Sequence, residues 1–282
     1  MKPNYNSAAE LREFLDKHNL GMRKKFGQNF LINPGIRQAI VCALEAEAGD
    51  DVWEVGPGLG SMTSLLLEKG LRVRAFEIDP GFSRALGEIF SGNEGFTLVE
   101  GDILKTWPSE PAAPYLLGNL PYNIAAVLLA GFITQGRFFK RMVVTVQREV
   151  AQRMAAVSGS ADYSSFSVLC ASAYRVKPLM VIKSASFYPR PNVDSQAVLL
   201  DRRENIHVRP ACFYPLVRQL FSSRRKTIKN NLTVFFASRG IPAAMAAEVL
   251  DRYGLAENKR AEDLCLENFE ALAIIMEDMG IL

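Results

Sequence analysis

The chain has 282 residues, 49% of them hydrophobic and 22% charged, with a formal net charge of +3. This length suffices for one large and one small domain, each with its own core, and the composition is that of a soluble globular protein. No apolar run approaches the roughly 20 residues of a membrane-spanning helix. The N-terminus carries no signal-peptide core, so the cytoplasm is the expected compartment.

Residues that usually form disulfides or bind metals are few. The four cysteines are widely separated, without a C-x-x-C pair, and the only histidines are His18 and His207. Disulfides and structural zinc are therefore not expected. The sequence predicts no metal and no histidine-based catalysis.

A basic and aromatic segment, residues 23–31, separates two predicted helices at 7–18 and 34–47. It carries Lys24 and Lys25 beside two phenylalanines and a leucine. A disordered linker does not normally contain so many large apolar residues. We interpret the segment as a loop that docks on another part of the protein.

A glycine-rich turn, Gly56 to Gly60, follows a predicted strand at 51–55 and precedes a predicted helix at 62–69. Glycines in such a turn let a ligand approach the backbone, because no Cβ intervenes. The spacing is G-x-G-x-G and not the dinucleotide fingerprint G-x-G-x-x-G, and this form after Glu54 is more typical of methyltransferases than of dehydrogenases. A tight turn without a ligand explains the pattern equally well.

The next two predicted strands lead into acidic residues. The strand at 72–77 ends in Glu77, about twenty residues beyond the glycine turn, where nucleotide-binding sheets place an acid that accepts hydrogen bonds from ribose hydroxyls. The strand at 96–100 precedes Asp102, which could accept a hydrogen bond from the amine of an adenine. Either acid could instead be a helix N-cap. Their recurrence at successive strand ends favours ligand binding.

The stretch Asn119 to Tyr122 follows a predicted buried parallel strand, residues 115–118. Open α/β sheets place their chemistry at such strand ends. The Asn119 side-chain oxygen and the Leu120 carbonyl can both accept hydrogen bonds from an exocyclic amine, and Tyr122 offers a flat face for stacking a base. Pro121 restrains the backbone between them. The stretch therefore predicts a site that holds a planar amine.

The last part of the predicted sheet contains a proline-paced loop from Phe187 to Ser195. Three more strands are predicted, at residues 142–146, 174–182 and 197–200. A loop of this kind is stiff and exposed, so Phe187 could face Tyr122 across a slot. Packing of Phe187 into the core is the alternative.

Only helices are predicted from about residue 206 onwards, which places a boundary near Asn205. The predicted domains are an α/β catalytic domain, residues 1–205, with an N-terminal covering segment over 1–33, and a helical domain, residues 206–282. The helical periodicity lies in residues 212–221, 224–239, 243–253 and 267–279.

Five basic residues and no acid lie between Val217 and Asn231. Four of them, Arg224, Arg225, Lys226 and Lys229, fall in the first turns of the helix predicted from residue 224, where the macrodipole disfavours positive charge. Positive charge at that place suggests an anionic partner such as RNA phosphate. A solvated helix face is the alternative.

Eight motifs occur in the order typical of one family. They are Lys25 to Leu31, Glu54 to Gly60, Glu77 to Asp79, Gly101 with Asp102, Asn119 to Asn123, Gln147 to Val150, the F-x-P-x-P-x-V-x-S segment from Phe187, and Arg224 to Thr227. Together they resemble the KsgA (RsmA) family of ribosomal RNA small-subunit adenine dimethyltransferases. The resemblance runs from about residue 23 to the C-terminus, and its last three motifs lie outside the generic methyltransferase core.

The resemblance implies a class I, Rossmann-like α/β methyltransferase fold with a small C-terminal helical domain. It implies S-adenosylmethionine as cofactor and two adjacent adenines near the 3′ end of 16S rRNA as substrate. Each would become N6,N6-dimethyladenine, within the small ribosomal subunit or its precursor, as a step in ribosome biogenesis. We expect a monomer that requires neither a membrane nor a metal.

The resemblance also implies roles for individual residues. Those expected to hold the adenine are Asn119, Leu120, Tyr122 and Phe187. Those expected to bind the cofactor are Asn29, Leu31, Gly56, Gly58, Glu77, Ile78, Asp102, Ile103 and Asn119. Those expected to contact RNA are Lys24, Lys25, Arg224, Arg225, Lys226 and Lys229. Ala125 and Ala126 depart from the family, since many relatives have serine and threonine there, which puts a hydroxyl contact in doubt.

Three alternatives share this core. A resistance-type methyltransferase would act on an adenine of large-subunit rRNA, but the Arg224-to-Thr227 motif and the Gly27-to-Leu31 motif favour the small-subunit enzyme. A DNA adenine methyltransferase would be expected to have a larger recognition insert. An assembly or transcription factor could keep the fold without catalysis, although the intact motifs argue against this.

Overall fold

In a computed structural model of the protein, the described residues are 2–22, 28–204, 206 and 209–281. Lys24 and Lys25 lie outside them. The chain divides into two compact units, here called unit 1 and unit 2. Unit 1 comprises Met1–Ala151 and Val176–Arg202, and unit 2 comprises Gln152–Arg175 and Arg203–Leu282.

Residues 152–175 belong to unit 2, whereas the sequence prediction placed them in the catalytic domain. The reason is a shared core. Tyr163 and Val168 are buried in one hydrophobic cluster with the C-terminal helices, and the Tyr163 hydroxyl donates a hydrogen bond to the Leu264 carbonyl over 2.9 Å. The hydrogen bond joins positions 101 residues apart, so no local pattern reveals it.

Nine strands are described. They are β1 (Phe30–Leu31), β2 (Asp51–Val55), β3 (Arg72–Glu77), β4 (Phe96–Glu100), β5 (Tyr115–Asn119), β6 (Arg141–Gln147), β7 (Tyr174–Ile182), β8 (Phe187–Tyr188) and β9 (Ser195–Arg202). Seven of them form one sheet in the order β4-β3-β2-β5-β6-β9-β7, and β1 pairs with β8.

The strands β2 to β6 are parallel, and β9 runs antiparallel to β6. The carboxyl ends of β2, β3, β4 and β5 therefore lie at one edge of the sheet. The strands predicted at 51–55, 72–77 and 96–100 coincide with β2, β3 and β4. The strands β1 and β8 were not predicted, because two residues are too few to show a period.

Twelve α-helices are described. They are α1 (Ala8–Lys17), α2 (Pro34–Ala43), α3 (Ser61–Glu68), α4 (Pro80–Ile89), α5 (Ile103–Thr106), α6 (Ala125–Thr134), α7 (Arg148–Ala155), α8 (Ser165–Ala173), α9 (Phe213–Leu220), α10 (Ile228–Ala237), α11 (Met245–Tyr253) and α12 (Leu266–Asp278). Within the described ranges, none is long and apolar enough to cross a membrane.

The start of α10 corrects the expectation for the basic residues. Thr227 is its N-cap, so Arg224, Arg225 and Lys226 precede the helix and only Lys229 lies in its first turn. The preceding turn is held by the buried Asn231, whose side-chain amide donates to the Leu220 and Ser223 carbonyls over 3.1 and 3.2 Å. The macrodipole argument is therefore wrong for the first three basic residues.

The N-terminal helix supports the segment that precedes α2. Leu11 and Leu15 of α1 pack in one cluster with Phe30, Leu59 and Phe82. Burial of such side chains contributes about 1.5–3 kcal/mol each. The segment around β1 thus packs in the same cluster as Leu59 of the glycine turn.

A buried arginine ties this segment to α2. The Arg37 side chain is 5% exposed and donates hydrogen bonds to the Leu31 and Tyr5 carbonyls over 2.6 and 3.1 Å. The Tyr5 hydroxyl in turn donates to the Leu59 carbonyl over 2.8 Å. The N-terminal residues, β1 and the glycine turn therefore share one hydrogen-bonded support.

Candidate active site

One cavity opens at the carboxyl edge of the parallel strands, with about 790 Å³ of space continuous with solvent. Its lining includes all nine residues that the sequence predicted for cofactor binding: Asn29, Leu31, Gly56, Gly58, Glu77, Ile78, Asp102, Ile103 and Asn119. We call it the cofactor pocket. All of its described lining belongs to unit 1.

Ten more residues line the cofactor pocket: Gln28, Phe30, Val55, Pro57, Ser61, Met62, Phe76, Gly101, Pro121 and Ile124. Most are immediate neighbours of predicted positions. These neighbours could have been predicted from the motifs, because a strand end or a turn presents several consecutive residues to a ligand. Met62 lies in α3, and nothing in the periodicity of that helix separates it from an ordinary core residue.

The glycine turn lies directly against the cofactor pocket. Gly58 has φ +61°, and a Cβ there would lie 2.8 Å from the Phe30 ring, so only glycine fits without a shift of that ring. The Gly58 N–H donates to the Glu77 carboxylate over 3.3 Å. The turn thus places backbone without a side chain next to the buried Glu77 carboxylate.

The Glu77 side chain is an acceptor at the wall of the cofactor pocket. It is 5% exposed and also accepts from the Asp79 N–H over 2.9 Å. Burial raises its pKa to about 7. The N-cap alternative is wrong for Glu77, because Asp79 caps α4 by accepting from the Gly81 N–H over 2.8 Å.

Asp102 is a helix N-cap, and its position at the cofactor pocket keeps the ligand-binding role as a prediction. Its Oδ1 accepts from the Leu104 N–H over 3.0 Å as the N-cap of α5, and the residue also lines the cofactor pocket. The second carboxylate oxygen is then the one suited to a ligand amine. Ile78, one of the exposed large apolar side chains at 38%, lies in the same lining and offers an apolar surface.

The Asn119-to-Tyr122 stretch is anchored at its start. The Asn119 side-chain NH2 donates to the Asn29 carbonyl over 2.8 Å, and the Leu120 N–H donates to the Thr145 carbonyl over 3.0 Å. Since Nδ2 is directed to Asn29, Oδ1 is the end of the amide that suits an incoming amine. Among the described residues, no hydrogen bond ends on the Leu120 carbonyl.

The aromatic side chains of the predicted slot differ in exposure. Tyr122 is half-buried, and its hydroxyl lies 2.6 Å from the Ser195 Oγ. Phe187 is 3% exposed and packs with Leu31, Ile182 and other residues of the sheet core. The expectation of an exposed Phe187 is therefore wrong, because pairing of β8 with β1 draws it into that core.

Glu54, at the end of β2, does not line the cofactor pocket in this structure. Its side chain is fully buried and accepts from the Thr63 hydroxyl over 2.6 Å. Within the described residues its other oxygen has no hydrogen-bond partner. Burial raises its pKa to about 7.

The basic residues before and within α10, Arg224 to Lys229, form what we call the basic turn. Arg224 pairs with Glu262 over 3.0 Å and Lys229 pairs with Glu257 over 2.7 Å. Arg225 and Lys226 are exposed. No group of three or more metal-ligating side chains occurs among the residues that the structure describes.

The model of the family described as ribosomal RNA adenine dimethylases matches residues 19–273. The chain belongs to the ribosomal RNA adenine dimethylase family. The match includes the cofactor pocket, the Asn119-to-Tyr122 stretch and the basic turn. It confirms the predicted enzyme class, an rRNA adenine dimethyltransferase that uses S-adenosylmethionine.

Relatives resemble this family member along nearly its whole length. The ribosomal RNA small subunit methyltransferase A of Treponema denticola is 45% identical over 97% of this chain and 96% of its own. The protein of the same name from Borreliella afzelii is 39% identical over 95% and 94%. The small-subunit family resemblance seen in the motifs is thereby confirmed.

Solved structures confirm the fold. A dimethyladenosine transferase from Plasmodium falciparum has a TM-score of 0.77 at 26% identity, covering 88% of this chain and 97% of its own. The 23S rRNA methyltransferase ErmE has a TM-score of 0.64 at 22% identity, covering 88% and 99%, and supports the fold alone. The predicted class I methyltransferase fold is therefore correct.

The residues of the cofactor pocket fit S-adenosylmethionine. Glu77 supplies a buried carboxylate for vicinal hydroxyls, Asp102 an acceptor for an amine, and Ile78 an apolar surface for a flat ring. The missing Cβ of Gly58 leaves the backbone open to close approach. The donor set is one of carboxylates, amides and apolar groups, as an adenosine requires.

Proposed function

We propose that this protein dimethylates the N6 amines of two adjacent adenines near the 3′ end of small-subunit rRNA. The observation that carries the proposal is the placement of Asn119. Its amide lines the cofactor pocket and begins the stretch that offers amine acceptors. The names of the relatives support the small subunit, and we propose that the protein acts there as a monomer.

The cofactor-binding roles follow the chemistry of each group. Glu77 accepts from the ribose hydroxyls, Asp102 accepts from the adenine amine, and the segment with Asn29 and Leu31 covers the ligand. When bound, S-adenosylmethionine supplies a methyl group on a positively charged sulfur, which departs as a neutral thioether.

The Asn119 and Leu120 oxygens prepare the target amine. The N6 lone pair of adenine is delocalised into the ring, so the nitrogen is a poor nucleophile. Hydrogen bonds from its two N–H groups to Asn119 Oδ1 and the Leu120 carbonyl favour a more localised lone pair aimed at the methyl group. Because the hydrogen bond to Asn29 directs the Asn119 amide, the acceptors are in place before substrate arrives.

Tyr122 stacks on the base that leaves the RNA stack, and positioning supplies most of the rate. No strong base is needed, because the nitrogen becomes cationic and acidic once it carries the added methyl group, and its proton then passes to water. A second transfer requires that the same acceptors take up a monomethylated amine. We propose that Phe187 supports the site by packing in the sheet core, because its side chain is buried.

The basic turn would contact RNA phosphates without reading sequence. Arg224, Arg225 and Lys226 are exposed, and Arg224 and Lys229 would exchange a carboxylate partner for a phosphate. Lys24 and Lys25 are further candidates on sequence grounds.

The test is methyl transfer from labelled S-adenosylmethionine to small subunits that lack the modification, with naked rRNA and large subunits in parallel. We expect label in dimethyladenine of the small subunit. Asn119→Ala should lower kcat by about 100-fold or more. Asn93→Ala, which changes an exposed asparagine outside the cofactor pocket, should match the wild type.

Other outcomes of this experiment would assign the protein a different function. Label in large-subunit rRNA would make it a resistance-type enzyme. Cofactor binding without any label would favour an assembly factor. A further assembly role beside catalysis is indicated if Glu77→Ala abolishes cofactor binding while subunit binding is unchanged.

A further inference from the structure

Ser195 is the first residue of β9, and its side chain is fully buried at the end of the sheet. A buried hydroxyl requires a hydrogen-bond partner. The partner here is the Tyr122 hydroxyl, 2.6 Å away and 73 positions earlier in the chain. The proposed adenine-holding stretch is therefore tied to a strand outside the cofactor pocket.

The backbone position of Ser195 is fixed on two sides. It pairs with Gln147 in the register between β9 and β6. The preceding residue, Asp194, accepts from the Arg148 N–H through its carbonyl over 3.1 Å and from the Ser184 N–H through its carboxylate over 3.0 Å. Ser195 is thus a rigid anchor.

Tyr122 lies in a turn between β5 and α6 and belongs to neither element. Its backbone is restrained on both sides, since Asn119 and Leu120 are anchored before it and the Ile124 and Ala125 N–H groups donate to the Pro121 carbonyl over 3.0 and 3.1 Å. The ring itself is half-buried, and burial raises the pKa of the phenol. The hydrogen bond to Ser195 is what fixes the far end of the side chain.

Stacking on a base requires only the ring of an aromatic residue. A phenylalanine would stack equally well, so the hydroxyl of Tyr122 has a separate purpose. With its hydroxyl tied to Ser195, the ring is restricted to one plane before substrate arrives, which lowers the ordering cost of binding the adenine in line with the methyl group.

We propose that Ser195 is a positioning residue for methyl transfer, holding the Tyr122 ring in the orientation that the target adenine requires. The proposal rests on the proposed function, since it assumes that Tyr122 stacks on the base. It adds a residue that touches neither substrate nor cofactor and assigns the Tyr122 hydroxyl a role distinct from that of its ring.

The experiment is a double-mutant cycle of Tyr122→Phe and Ser195→Ala, measured as kcat, KM and the ratio of monomethyl- to dimethyladenine. Each single change should lower kcat about tenfold, because small misplacements of reacting groups cost one to two orders of magnitude. The double variant should match the single variants, because both remove the same hydrogen bond. Cofactor Kd should stay within about twofold of wild type, since neither residue lines the cofactor pocket.

Ser172→Ala is the matched control, since Ser172 is a fully buried serine in unit 2 whose hydroxyl donates to a backbone carbonyl over 2.7 Å. It should leave kcat and the product ratio unchanged. In the two cycle variants the fraction of monomethyl product should rise, because the bulkier second substrate depends more on alignment. A purely structural serine would alter stability without altering that ratio.

Multiplying effects of the two changes, or a Ser195→Ala enzyme with wild-type kcat, would overturn the proposal. If Ser195→Ala folds poorly, Tyr122→Phe alone decides, because it leaves the serine in place; wild-type kcat in that variant would refute the role of the hydroxyl. The wild-type enzyme tests the substrate separately. If the wild-type enzyme labels another rRNA, the double-mutant cycle is measured with that RNA as substrate. That result would refute the small-subunit substrate and leave the proposed role of Ser195 to be decided by the cycle.

Discussion

The cofactor pocket of unit 1 and the basic turn of unit 2 hold their charged groups under opposite conditions. Glu77 is 5% exposed and accepts from two backbone N–H groups. The side chains of Lys229 and Glu257 are 42% and 49% exposed and share a single ion pair. Buried groups lose several partners at once when disturbed, whereas exposed ion pairs contribute about 0–1 kcal/mol. Variants in the cofactor pocket should therefore have large effects and variants in the basic turn small ones.

Gly58→Ala should cause the largest loss of cofactor affinity. The new Cβ would approach the Phe30 ring to 2.8 Å at a positive φ, and Phe30 itself lines the cofactor pocket, so the ring has to move and the shape of the pocket changes. We expect cofactor Kd, measured by calorimetry, to rise by about 100-fold, in line with a cost of 1–3 kcal/mol for overpacking. Gly87→Ala, where a Cβ in α4 meets nothing within 4 Å, should leave Kd unchanged, and equal effects of the two changes would refute the geometry.

Glu54→Gln should stabilise unit 1 at high pH. Burial raises the pKa of Glu54 from 4.5 to about 7, so the folded state keeps its proton where the unfolded state has lost it. Stability therefore falls as pH rises from about 4.5 to 7 and is level above that range. The displacement corresponds to roughly 3 kcal/mol, which the glutamine variant should regain at pH 8 and not at pH 4.5.

Denaturant unfolding followed by tryptophan fluorescence measures this effect, because both tryptophans, Trp53 and Trp107, belong to unit 1. A gain in the free energy of unfolding that is equal at both pH values would mean that the carboxyl group does not titrate as inferred. Glu68→Gln, an exposed position of α3, provides the control.

Cofactor affinity should fall as pH decreases through the pKa of Glu77. Its pKa is raised to about 7 by burial, and the protonated acid loses acceptor capacity for the ribose hydroxyls. At one pH unit below the pKa about a tenth of the molecules remain ionised, so Kd should be about tenfold higher at pH 6 than at pH 8. In Glu77→Gln, affinity should be lower and this pH dependence should be reduced; a wild-type slope in the variant would assign the titration to another group.

The smallest effects should come from the basic turn. Arg225→Ala or Lys226→Ala should weaken rRNA binding about two- to fivefold and reduce the salt slope by about one. Glu257→Gln should strengthen binding about twofold, because Lys229 loses its carboxylate partner. Filter binding across a salt series measures both, with Lys69→Ala, an exposed lysine of unit 1, as the control. A loss of rRNA affinity above tenfold in any basic-turn variant would contradict the expectation that exposed charges contribute little.

Prediction from sequence located residues correctly where one pocket is lined by consecutive residues at strand ends. Glu77 and Asn119 end strands, and the glycine turn and Asp102 follow strands. The apolar runs fix the strand ends, and parallel strands bring those ends to one edge of the sheet. The predicted nine cofactor residues therefore occur in one pocket. Their individual roles remain proposals.

Prediction failed where a distant partner decides. Phe187 is buried because β8 pairs with β1, more than 150 positions earlier. The pairing of Tyr122 with Ser195 spans 73 positions. Periodicity and turn propensity describe short windows and contain no information on such contacts.

The bond between Tyr122 and Ser195 also has a consequence for the time at which the enzyme matures during its own synthesis. Every described residue of the cofactor pocket lies between Gln28 and Ile124, whereas the anchor of the Tyr122 ring is translated some seventy codons later. A nascent chain therefore contains every described residue that lines the cofactor pocket well before the proposed anchor of the Tyr122 ring has been made. With Ser195 as the proposed anchor of the ring, methyl transfer reaches its full rate only once the strand that begins at Ser195 has emerged and joined the sheet.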